Sequence, residues 1–66
     1  MTRARVRKVV REKYGNASRL AAALGISRQH VSMILRGEAV PSLALATALE
    51  AHLGIPARVF AALSDS

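Results

Sequence analysis

Gly25 falls between two apolar stripes of helical period, and that leaves the surrounding stretch few ways to fold. In NASRLAAALGISRQHVSMILRG, residues 16–37, Leu20, Ala21 and Leu24 recur at spacings of one, three and four, which places them on one helix face. Gly25 stops that helix, because the left-handed backbone that closes a helix brings no Cβ clash at glycine. Ile26 is an apolar plug in the turn. Ser27 is positioned to cap a second helix through its hydroxyl. Val31, Ile34 and Leu35 form the buried stripe of that helix, and Gly37 ends it. Arg28, Gln29, Ser32, Met33 and Arg36 are left on its exposed side. The expectation is two short helices set at an angle by a tight turn.

A pair of this kind, with hydrogen-bonding and cationic side chains along the second helix, is a helix-turn-helix, whose second helix enters the DNA major groove. The stretch resembles the DNA-binding domain of the phage Cro and repressor family. The resemblance rests on small Ala21, which lets the helices touch, on Gly25 in the turn, and on apolar Leu20, Leu24, Ile26, Val31 and Ile34. It continues through Leu45, Leu49, Leu53-Gly54-Ile55 and Val59-Phe60, and so covers nearly the whole chain. It implies an all-α fold: a compact, five-helix, lambda-repressor-like domain with the helix-turn-helix formed by helices 2 and 3.

The remaining helices are read from pattern. Val6, Val9, Val10 and Tyr14 give residues 2–14 one apolar face, with Thr2 as a cap and Gly15 as a stop. Helix 2 covers about 17–24 with Asn16 as its N-cap, and helix 3 about 28–35. Pro41 disfavours helix at Val40, and Ser42 suits a cap for a fourth helix over about 42–53, with Leu45, Leu49 and Leu53 on its stripe. Gly54 ends it. Pro56 suits the first turn of a fifth helix, about 56–63, because its missing N–H has no partner there. Residues 1–66 are expected to form a single domain, with 64–66 a frayed tail.

Sixty-six residues allow only a small core, near the lower limit for folding alone, and the absence of cysteine removes disulfides and thiolate metal sites. The net charge of +6 is uneven. Residues 1–37 hold nine Arg or Lys against Glu12; residues 38–66 hold Arg58 against Glu38, Glu50 and Asp65. A basic half that carries the helix-turn-helix points to a polyanion partner. The basic first helix also suits an anionic membrane surface, but its apolar face is short, valine-based and without Trp or Phe anchors. No uncharged run approaches the ~18 residues of a membrane-spanning helix. The expected location is cytoplasmic, on the nucleoid when DNA is bound. His30 and His52 fall on different helices with no cysteine or carboxylate cluster, so no metal or cofactor is expected.

Base-edge chemistry assigns Arg28 to guanine O6 and N7, and Gln29 to adenine N6 and N7. The resemblance places base-reading residues at Arg28, Gln29, Ser32 and Met33, with Met33 suited to thymine methyl groups. It also places the start of helix 2 on the DNA backbone. A glutamine common there in the family is Ala17 here, which leaves the backbone N–H groups, with Asn16, Ser18, Arg19, Ser27 and Arg36 as further phosphate contacts. Cations near the ends of helix 1, Arg3 and Arg5 among them, are expected to reach phosphates. The loop GEAVP, residues 37–41, carries Glu38 where the family often has Lys or Arg. A buried Arg–Glu pair common in the family is replaced by Val10 and Leu35, which are expected to touch. Val59 and Phe60 are expected either in the core or, as the family's fifth helix often is, in a dimer interface with Arg58.

The function these features imply is a sequence-specific, double-stranded-DNA-binding transcription regulator. Its expected form is a Cro-like repressor, a homodimer in solution or only on DNA, on a palindromic operator. The alternative is an antitoxin-type module that binds a protein partner and autoregulates its own promoter. Four carboxylates, two separated histidines and no phosphate-cradling glycine loop assemble no catalytic group, so neither an enzyme nor a small-molecule substrate is expected.

Overall fold

Four side-chain caps start four helices. Thr2, Asn16, Ser27 and Ser42 stand in extended backbone, and each accepts a hydrogen bond from the N–H three residues on, at 3.3, 2.9, 3.1 and 3.2 Å. A cap of this kind is worth about 0.5–2 kcal/mol. The helices that follow are α1 (Arg3–Tyr14), α2 (Ala17–Leu24), α3 (Arg28–Leu35) and α4 (Leu43–Leu53). A fifth, α5 (Ala57–Leu63), starts differently. Glu50 on α4 reaches across, and its Oε1 accepts the N–H of Ala57 at 2.7 Å. A carboxylate there also suits the positive end of the helix dipole. The computed structural model describes residues 2–63, so the expected tail at 64–66 lies outside it. Among the described residues there is no strand, and the fold is all-α as the pattern implies.

Two boundaries differ from expectation by one residue. Ser42 and Pro56 stand just outside α4 and α5 rather than inside them. For Ser42 the cause is its extended backbone, with φ −60° and ψ 162°, which a capping residue adopts.

Gly25 closes α2 in the left-handed conformation, φ 73° and ψ 28°. Its geometry lets the Ile26 N–H reach back to the Ala21 carbonyl at 3.0 Å, which satisfies an orphan group at the helix end. The chain then enters α3 within two residues. Leu20 and Ala21 from α2 are buried against Val31 and Ile34 from α3, and Ile26 packs partly buried beside them. The α2–α3 pair rests on a floor made by the other helices. Val6 and Val10 come from α1, Leu49 and Leu53 from α4, Ile55 from the bend after it, and Phe60 and Leu63 from α5. α4 and α5 meet at a bend of 115°.

Val10 and Leu35 are both buried in this cluster and line the same cleft between α1 and α3. Two apolar groups there need no desolvation of charge, which a buried ion pair would require. Tyr14 is only part-buried, and its hydroxyl lies 2.7 Å from Nδ1 of His52, joining the end of α1 to the end of α4. Periodicity had no means of pairing these two, which are 38 residues apart.

Phe60 requires a correction. It has no exposed surface and is among the largest fully buried side chains. It therefore offers nothing to a partner and does not belong with a dimer patch. Val59 is half-buried and Arg58 exposed.

Candidate nucleic-acid interface

The exposed side of α3 begins where its cap ends. Ser27 Oγ accepts from the His30 N–H and keeps its own hydroxyl proton free to donate. Arg28 and Gln29 follow on the first turn, both exposed. Ser32 and Met33 are one turn further on and half-buried. Spacing by four puts Arg28, Ser32 and Arg36 on one stripe, with Gln29 and Met33 on the stripe beside it. His30 is exposed.

The Arg28–Ser32–Arg36 stripe leads into a cleft of about 280 Å³. Ser32, Leu35 and Arg36 form one wall, Arg7, Val10 and Arg11 of α1 form another, and Gly15, Asn16 and Ala17 close the third. The third wall is the start of α2. Asn16 Oδ1 is taken by the Arg19 N–H, which leaves the amide N–H groups of Asn16 as donors. The backbone N–H groups of Ala17 and Ser18 have no acceptor among the described residues. Free N–H groups and the positive end of the helix dipole favour an anion. Arg19 folds back over the α1–α2 turn; a Cβ built on Gly15 would lie 3.7 Å from its Nη1. Ser18 is exposed beside it.

Arg7 and Arg11 are the residues that sequence reasoning missed. Both line the cleft, and neither has an ion-pair partner among the described residues. The available signal was their spacing. Each stands one position after a buried valine, Val6 or Val10, so both flank the face that α1 turns inward. Arg5 is on the other side of α1, with Lys8, Val9 and Glu12 around a separate shallow depression. That position removes Arg5 from the cleft, since residues two apart on a helix point to nearly opposite sides. Arg3 does reach α3, where its Nη1 donates to the Arg36 carbonyl at 2.8 Å.

Arg36 is less free than expected for a phosphate contact. Its Nε–H is hydrogen-bonded and ion-paired to Glu38 Oε2, with the two side chains 47% and 54% exposed. An exposed pair of this type contributes about 0–1 kcal/mol, so an incoming anion can displace it. Among the described residues no group of His, Asp or Glu could hold a metal ion, and no single helix is long and apolar enough to cross a membrane.

Concave, unpaired guanidinium groups around a helix start, continuous with an exposed row of base-edge donors, are suited to a phosphate backbone and the groove beside it. A helix-turn-helix family model matches residues 2–60. No curated protein and no solved structure matches the chain. The family match spans all of α1 through α4 and reaches Phe60 in α5, so it includes both the turn at Gly25 and the core beneath it. On that match the chain belongs to the helix-turn-helix family, of the lambda-repressor and Cro-like kind, and is a DNA-binding transcription regulator.

Proposed function

We propose that the protein is a Cro-like repressor that binds a palindromic operator as a dimer. One observation carries this reading. The α3 stripe runs from exposed Arg28 through Ser32 to Arg36 and opens into the basic cleft at the start of α2. With a strand of DNA along that cleft, α3 is directed at the adjacent major groove. Arg28 and Gln29 are then the principal base readers, with Ser32 and Met33 deeper along the helix. Asn16, Ala17, Ser18, Arg19 and Ser27, with the arginines of the cleft, hold the backbone. Phosphate contacts set register and affinity; base contacts set sequence.

Size supports two copies. The Cα extents are 26 × 22 × 20 Å, smaller than the roughly 34 Å between successive major grooves on one DNA face. One copy therefore reads one half-site, and a second is needed for the next. Arg58 and half-buried Val59 on α5 remain as the candidate contact between copies. Repression follows from occupying the site that polymerase needs.

Selection of preferred duplexes from a randomised pool at moderate salt tests the sequence-specific binding and the dimer together. The expected outcome is one enriched sequence with two inverted half-sites about 10 base pairs apart centre to centre. An enriched but asymmetric site would remove the dimer, and a pool with no enrichment would remove sequence-specific binding. The exposed Val40 and Leu43 favour a second reading, an antitoxin-type module that also holds a protein partner at that apolar surface. Co-purification of a stoichiometric partner from native cells, lost on Leu43→Glu, separates the two.

A further inference from the structure

A second basic cleft, about 410 Å³, adjoins the first and is lined by Arg3, Arg7, Arg36 and Glu38. Arg7 lines both clefts. Arg3, Arg7 and Arg11 recur every four residues, about 6 Å apart along the helix axis, so the two clefts follow one another along α1. That step is close to the separation of neighbouring phosphates on one DNA strand. The second cleft differs from the first in one respect. A carboxylate already occupies it, because Glu38 is paired with Arg36 there while Arg3 is held by the carbonyl of that same arginine. Three guanidinium groups against one carboxylate leave a formal excess of two positive charges. Arg7 has no partner of its own among the described residues.

A carboxylate and a phosphate make the same charge-assisted contact with guanidinium. Resting on the duplex reading above, we infer that the Arg3–Arg7–Arg36 cleft takes a second, consecutive backbone phosphate, and that Glu38 is its resident counter-ion. Glu38 holds the site against casual anions and lowers affinity for every DNA sequence alike. The strand displaces it on binding, and Arg36 passes from carboxylate to phosphate. The loop after α3 thus sets how tightly the protein binds without touching a base. A uniform restraint of this kind lowers occupancy of operator and bulk DNA together and leaves the ratio between them to the base contacts, because specificity is a difference of affinities.

The experiment is fluorescence-anisotropy titration of a selected duplex and a scrambled duplex between 50 and 200 mM salt, with the folded state of each variant checked by circular dichroism. Glu38→Gln is expected to tighten binding to both duplexes by roughly threefold to tenfold at the lowest salt, since an exposed ion pair no longer competes. The log–log salt slope should steepen by up to about 0.9. Arg7→Ala should weaken both duplexes equally and flatten the slope by about the same amount. Lys8→Ala, which lines the separate depression with Arg5 and Glu12 and neither of the two clefts, should leave the slope unchanged. A gain of affinity cannot come from damage to the fold, so Glu38→Gln decides the matter even where Arg7→Ala unfolds. Equal or weaker binding by Glu38→Gln overturns the inference, as does a Lys8→Ala slope as flat as that of Arg7→Ala. Tighter binding to anionic vesicles with no gain on DNA also overturns it. If the unsubstituted chain binds the duplex and Glu38→Gln changes nothing, only this inference falls; if it binds no duplex, the functional reading falls with it.

Discussion

Phe60→Ala separates a core residue from an interface residue with little ambiguity. Phe60 has no exposed surface, and α5 packs on both α4 and α3, so its ring supports α3 from behind. Truncating a fully buried Phe costs about 3–5 kcal/mol, the lost transfer energy plus the cavity left behind. A chain of 66 residues has a total stability of roughly 3–10 kcal/mol. The substitution therefore removes about 30% or more of what holds the fold. At roughly 4–8 °C per kcal/mol for a domain of this size, the melting temperature should fall by at least about 12 °C. Thermal melts by circular dichroism at several protein concentrations measure this directly. The shift should be the same at all of them, because the lost contacts lie within one chain. DNA binding should decline only as the unfolded fraction rises. An unchanged melt, accompanied by a halved mass in sedimentation, would place the ring between two copies and refute the packing argument. Val59→Ser is the counterpart. Its side chain is half-buried, so a smaller thermal shift is expected, together with a weaker dimer.

Substitutions at three further positions test other parts of the molecule. Gln29→Ala removes an exposed side chain and should cost less than about 0.5 kcal/mol of stability, but it should lose roughly 1–3 kcal/mol of discrimination at one operator position in a duplex selection. Gly25→Ala meets no atom within 4 Å, so only its φ of 73° opposes it. The left-handed backbone costs alanine roughly 1–2 kcal/mol and restricting the unfolded chain recovers about 0.4–1, so a net loss of up to about 1.6 kcal/mol is expected in chemical denaturation, and Gly25→Asn should lose less. Tyr14→Phe deletes the hydroxyl that meets His52 and should lower stability by about 0.5–1.5 kcal/mol with no change in the duplex selected.

What the sequence alone determined is what the chain does within a few residues of itself. Thr2, Asn16, Ser27 and Ser42 each cap by reaching an N–H three residues on, and Gly25 turns the chain through its own φ. The apolar stripes follow from 3.6 residues per turn. Those signals were sufficient for five helices, for the α2–α3 pair and for the family. Tertiary structure decided which exposed groups converge. Arg7 and Arg11 look like any other cations on a basic helix until α1 lies against the start of α2 and the end of α3, while Arg5 is turned away by the same packing. Val59 and Phe60 are both apolar neighbours near the C-terminus, and only the 115° bend between α4 and α5 selects which of them enters the core. Caps and periodicity depend on separations of three or four residues; charge convergence and burial depend on distances between helices, which no short window of sequence contains.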